Sequence, residues 1–167
     1  MEYLWTPWRM SYIKTLSGDA KECVFCAKLD AEDEAECVLR RGDTCYVGLN
    51  VFPYNSGHIL VVPHEHVASI EGLATDCLLE MMTLCQQALA VLRVAYAPSG
   101  FNIGINLGNV AGAGLPEHVH LHVVPRWSGD SNYMSVVGRT RVLPELLEES
   151  WKRLREAWDQ EFPPRPS

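Results

Sequence analysis

The sequence predicts an α+β fold, an antiparallel sheet of about five strands carrying one long helix and a C-terminal helix. Three observations predict it. Five short runs rich in Val and Ile end near Gly, Pro or Asn, as strands do. One long segment repeats apolar residues at helical period between the third and fourth runs. A second helical pattern closes the chain. With 167 residues, 47% of them hydrophobic and five Trp among them, the chain has the length and composition of one domain with a sizeable core. We expect a single domain over residues 1–167, with a core at about 23–127, an N-terminal aromatic arm at 1–17 and a helical extension at 128–167.

The strand runs are Cys37–Arg40, Thr44–Leu49, His58–Val62, Phe101–Asn106 and His118–Val124. Gly42-Asp43 lies between the first two, which makes them a hairpin. From Thr75 to Tyr96 the apolar residues Cys77, Met81, Leu84, Ala88, Val91 and Ala95 share one helical face. Asp76 and Glu80 suit the positive end of its dipole, and Pro98 with Gly100 ends it. From Leu143 to Trp158 the face is Leu143, Leu147, Trp151, Leu154 and Trp158, with Pro144 placed for a first turn. Phe162–Ser167 carries three prolines and is not helical, and Asp30–Glu36 is an acidic, solvated stretch.

Composition narrows the function. A net charge of −7 argues against broad nucleic-acid binding, which needs a basic footprint. An anionic ligand would then be held by local donors such as backbone N–H groups, His and Arg. No window offers about eighteen uninterrupted apolar residues, so no membrane span is expected. Met1–Trp8 lacks the pattern of a secretory signal, and a cytoplasmic location is the default expectation. The six cysteines do not form a disulfide framework in such a chain, and only Cys23 and Cys26 have an informative spacing.

The most specific feature is His118-Val119-His120-Leu121-His122. In a strand, alternate side chains share a face, so the three imidazoles would line one side and Val119, Leu121 and Val123 the other. Core packing does not explain three such rings. A metal site made of all three, a solvated polar face, and phosphoryl chemistry each do. Upstream, Asn106–Gly114 contains Gly108, Gly112 and Gly114, a loop able to approach an anion with backbone N–H groups, or simply a turn. Its position just before the histidines favours phosphate. A neutral imidazole is a nucleophile near pH 7, and a protonated one stabilises charge on phosphate oxygens.

With Pro125-Arg126 after it, this segment resembles the motif of the histidine-triad (HIT) family. The blocks Asn50–His58 and Val61-Val62-Pro63-His64-Glu65-His66 fit in the same order, and the match runs over roughly residues 23–127. The flanks Leu4–Met10, Gly114–His118 and Ser131–Met134 look like the bacterial diadenosine polyphosphate phosphorylase branch of that family. The resemblance implies a five-stranded sheet with a long helix, a homodimer or higher homo-oligomer, nucleotide substrates and a nucleotidyl-histidine intermediate. By that carry-over His120 is the nucleophile and His122 binds or polarises phosphate. Asn106 and the Gly112–Gly114 loop contact phosphates, and Asn50 stands where many relatives place a ribose-binding Asp. Where many relatives have Gln and a hydroxyl residue, this chain has Leu115-Pro116-Glu117, so Glu117 or backbone amides are left for that role.

Cys23-Val24-Phe25-Cys26 is half of a zinc site by spacing. In several relatives a histidine of the Pro-x-x-His turn and the first triad histidine complete it. Those positions are His66 and His118, with His64 the near alternative to His66. This implies structural zinc and no organic cofactor. The implied activity is cleavage of adenosine polyphosphates such as diadenosine tetraphosphate, by phosphorolysis or hydrolysis. Rival readings are a nucleoside phosphoramidate hydrolase or other nucleotidyl transferase, and a non-catalytic nucleotide- and zinc-binding module.

Overall fold

The structure is a computed structural model that describes residues 23–130 and 145–163. The aromatic arm, Ser131–Met134 and Leu143-Pro144 lie outside the described residues. Five antiparallel strands form one sheet: β1 (Val38–Arg41), β2 (Cys45–Leu49), β3 (Ile59–Pro63), β4 (Gly100–Ile105) and β5 (Leu121–Arg126). Their spatial order is β1-β2-β3-β5-β4, so β5 is interior, between β3 and β4, and β4 is an edge among the described residues. Two helices, α1 (Thr75–Tyr96) and α2 (Leu147–Glu161), complete the fold.

The two faces of the sheet are used differently. On one, Leu39, Val47, Ile59, Val61, Leu121 and Val123 pack against Met81, Leu84, Ala88 and Val91 of α1 and Leu154 and Trp158 of α2. On the other, Phe25, Val38, Tyr46, Leu60 and Val62 make a smaller apolar cluster. The helix α1 matches the sequence reading in both bounds and buried face. It stops because Ala97 adopts a left-handed conformation with its N–H on the Arg93 carbonyl, and Pro98 follows. By length and composition α1 could also cross a membrane, although no uninterrupted apolar run predicted it; its apolar stripe packs on the sheet as a core helix does. In α2, Leu154, Ala157 and Trp158 are buried, and Leu147 and Trp151 pack at the margin of the core.

One strand differs from expectation. The strand predicted from His118 begins only at Leu121, so His122 alone of the three imidazoles sits in regular sheet. The reason lies in the backbone: His118 N–H bonds to the Leu115 carbonyl and Val119 N–H to the Val67 carbonyl, whereas pairing with β3 starts at Leu121. The in-out alternation nevertheless continues upstream, with Val119 in the main core. All six cysteines are free thiols, and burial pushes the Cys45 thiol, beside Cys77, up to about 12.

Glu80 has a role beyond the helix dipole. Its carboxylate accepts the backbone N–H groups of Asp43, Thr44 and Cys45 at 2.7, 2.6 and 3.0 Å, and the Thr44 hydroxyl, so α1 clamps the β1–β2 turn. A Cβ on Gly42 would lie 2.3 Å from Glu80 Oε1, which explains the glycine there. Partial burial pushes the Glu80 pKa up, but these donors outweigh it and hold the group below the ordinary carboxylate value. Glu80→Ala should therefore cost about 1.5–3 kcal/mol in urea unfolding near neutral pH. Because the folded pKa is lowered, the wild-type advantage should shrink as pH falls through the carboxylate range; a difference independent of pH would contradict this.

Candidate active site and metal centre

The second sheet face carries the histidines, and their partners decide which nitrogen of each ring holds a proton. His120 is 5% exposed, and its Nδ1 lies 2.8 Å from the His118 carbonyl oxygen. A carbonyl only accepts, so Nδ1 donates, and the neutral ring has its lone pair on Nε2. Burial lowers the His120 pKa, which keeps the ring neutral near pH 7. The ring stands 4.8 Å from that of His122, edge to face.

His122 is oriented by a residue outside the triad. His58, fully buried at the entry to β3, places Nε2 3.0 Å from His122 Nδ1. On its other side, His58 Nδ1 meets the Tyr54 backbone N–H at 3.0 Å and the Asn50 amide nitrogen at 3.3 Å. Both are donors, so His58 Nδ1 accepts and His58 Nε2 carries the proton given to His122. His122 Nδ1 is then the acceptor, and its proton sits on Nε2. Tyr54 stacks over both rings, at 4.8 Å from His58 and 5.9 Å from His122.

Two adjacent imidazoles thus present opposite characters, a lone pair at His120 Nε2 and an N–H at His122 Nε2. A nucleophile beside a hydrogen-bond donor suits displacement at phosphorus.

The remaining predicted residues divide into those brought together and those left apart. Asn50 is tied internally, its amide nitrogen on His58 and its oxygen accepting the Phe52 N–H at 3.0 Å. It thereby anchors the His58–His122 relay. Asn106 follows β4 directly, beside the start of β5. Gly112 takes a left-handed conformation after the turn Asn109–Ala111, which fits the glycine at that position. Glu117 is exposed, and neither it nor Asn106 bonds to an imidazole among the described residues. His58 and Tyr54 were missed because a lone His at a strand start reads as structural; only the pairing of β3 with β5 brings it to His122.

Cys23, Cys26, His66 and His118 converge, with all four ligand atoms within 4.8 Å of one another. His118 Nδ1 lies 3.4 Å from Cys23 Sγ and 3.6 Å from Cys26 Sγ, and His66 Nδ1 lies 3.3 Å from Cys26 Sγ. Sulfur and nitrogen ligands on tetrahedral zinc, at bond lengths of about 2.3 and 2.0 Å, stand roughly 3.5 Å apart, so the set fits such an ion. His118 Nε2 donates to the Pro63 carbonyl at 2.9 Å, which leaves the Nδ1 lone pair facing the sulfurs, as an oriented ligand requires. His64 stays apart and stacks on Tyr46. The triad therefore divides, its first member joining the cysteine cluster and the other two standing ring against ring outside it.

Residues 31–129 match the HIT domain family. This chain belongs to the HIT family. It is 38% identical to the AP-4-A phosphorylase of Mycobacterium tuberculosis over 95% of this chain and 85% of that protein. It is 32% identical to a HIT-like protein of Methanocaldococcus jannaschii over 76% of this chain and 97% of that one. Among solved structures it resembles a zinc-bound histidine triad protein of Mycobacterium smegmatis, with TM-score 0.67 and 31% identity over 84% of this chain and 95% of that one.

The geometry separates His66 from His64. His66→Ala should abolish retention of Zn2+ through dialysis, read by metal analysis, while His64→Ala keeps it. The reverse pattern would reject the ligand set.

Proposed function

We propose that this HIT protein is a nucleotidyl transferase acting on diadenosine polyphosphates, with His120 as nucleophile and inorganic phosphate as acceptor. The observation that carries the chemistry is the tautomer pair, a basic Nε2 on His120 next to an N–H on His122. The relative named AP-4-A phosphorylase, similar over 95% of this chain, supports the substrate and the acceptor.

In the first step the His120 Nε2 lone pair forms a bond to the α-phosphorus of diadenosine tetraphosphate. The P–O bond to the remaining polyphosphate breaks, ATP leaves, and an adenylyl group stays on His120. His122 Nε2–H donates to a phosphate oxygen as negative charge gathers there. In the second step a phosphate oxygen attacks the same phosphorus, the P–N bond breaks, and ADP leaves with His120 restored. The overall change is diadenosine tetraphosphate plus phosphate to ATP plus ADP. Dividing one displacement into two is the gain of covalent catalysis. The backbone of the Gly112–Gly114 loop and Asn106 are the groups proposed to meet the phosphates.

Zinc on Cys23, Cys26, His66 and His118 would supply a structural tie between the N-terminal segment and the segment that carries the nucleophile. We also propose a homodimer. Strand β4 ends the sheet among the described residues, with Ile103 exposed on it, and an open edge is a ready template for pairing with a second copy.

Radiolabelled diadenosine tetraphosphate should give ADP and ATP only when phosphate is added. AMP released equally without phosphate would replace phosphate by water as acceptor. His120→Asn should bind AMP but trap no adenylyl group, and full turnover by that variant would remove His120 from the mechanism. His58→Asn, which cannot bridge to His122, should lower kcat on the order of 10²-fold with little change in AMP affinity. A wild-type kcat would show that the relay does not act on His122.

A further inference from the structure

The sequence Cys23-Val24-Phe25-Cys26 places an aromatic ring between the two thiol ligands, and neither the metal nor the phosphoryl chemistry uses it. Phe25 is 7% exposed. Its ring meets His118 edge-on, with centroids 5.4 Å apart and planes at 85°, and it meets His120 at 4.9 Å and 63°. The backbone around it is tied on several sides. Ala27 N–H bonds to the Cys23 carbonyl at 3.0 Å, Lys28 N–H to the Phe25 carbonyl at 3.3 Å, and the Tyr46 hydroxyl to the same Phe25 carbonyl at 3.2 Å.

His120 needs such a neighbour. Its one hydrogen bond among the described residues, from Nδ1 to the His118 carbonyl, fixes the tautomer. A single bond at one ring atom still lets an imidazole swing about that point. The His122 ring blocks one flank at 4.8 Å, and Phe25 blocks another at 4.9 Å. The line from Nε2 to phosphorus is thus set by two ring contacts and one carbonyl. A misplacement of about 1 Å at a reacting atom can cost roughly 10²-fold in rate.

We propose that Phe25 is a positioning residue for His120, through which the metal-binding turn sets the orientation of the nucleophilic ring. This rests on the reading of His120 as nucleophile. Zinc on Cys23 and Cys26 would hold both ends of a four-residue turn, the turn carries the Phe25 ring, and the ring stands against His120. The first triad histidine acts on the second by two routes, its own carbonyl and the ring it shares with His120.

The test is Phe25→Leu, which removes the flat ring and keeps comparable bulk. In the zinc-loaded protein, single-turnover formation of adenylyl-His120 from diadenosine tetraphosphate should slow about 10- to 100-fold. The AMP dissociation constant and the zinc content should stay at wild-type values. In imidazole-detected NMR without nucleotide, the His120 ring proton signals should shift and broaden, because the facing ring is gone and the imidazole is freer. An unchanged adenylylation rate, or unchanged His120 signals, would overturn the proposal. A rate loss accompanied by loss of zinc or of AMP binding would overturn it too, since Phe25 would then only support the scaffold. If Phe25→Leu does not fold, Phe25→Met carries the same comparison. Failure of the wild-type protein to form any adenylyl-histidine would instead reject the nucleophile itself, an outcome separable from these.

Discussion

Alternation of side chains along residues 118–123 is the constraint on which this molecule depends. Val119, Leu121 and Val123 are committed to the core beneath α1 and α2, so His118, His120 and His122 must face the other side. A shift of one residue would put three imidazoles into an apolar core and three aliphatic side chains over the site. The apolar half of the segment thus fixes the position of the chemical half. The hold persists even where the sheet ladder lapses, because Val119 hangs its N–H on Val67 and stays in the core.

Burying imidazoles has a cost that the fold meets by bonding them. An unsatisfied buried donor or acceptor costs about 1–3 kcal/mol, and His58, His118 and His120 are nearly inaccessible. Each has a backbone partner: Tyr54 N–H for His58, the Pro63 carbonyl for His118, the His118 carbonyl for His120. These partners do more than offset desolvation. A backbone N–H can only donate and a carbonyl can only accept, so each bond selects a tautomer. In the proposed function, metal ligand, nucleophile and phosphate donor are three roles of one side-chain type, and the backbone distributes them.

Much of this arrangement was legible in the sequence. The period of α1 was carried by Cys77, Met81, Leu84, Ala88, Val91 and Ala95, the first five of them buried, and its end by Pro98, so tertiary context had little left to change. The cysteine spacing with His66 and His118 named four residues that the fold does bring together. Three features resisted. The start of β5 was read too early, because a run of alternating residues does not reveal that its backbone bonds go to Leu115 and Val67. The bond from Asn50 to His58 was not foreseen, because it exists only after the β2–β3 connection closes. Phe25 was given no role, since its contact with His120 joins residues far apart in sequence.

The chain by itself determined the elements and their order, the two-faced segment around His120, and which residues are candidates for metal and chemistry. These are local properties, set by periodicity, spacing and side-chain chemistry. The tertiary structure alone decided which proton sits on which nitrogen, that His58 stands behind His122, and that an aromatic ring from the cysteine turn flanks His120. The His58–His122 bond and the Phe25–His120 contact join residues far apart in the chain, and even a local hydrogen bond has direction only once both partners have been placed in space.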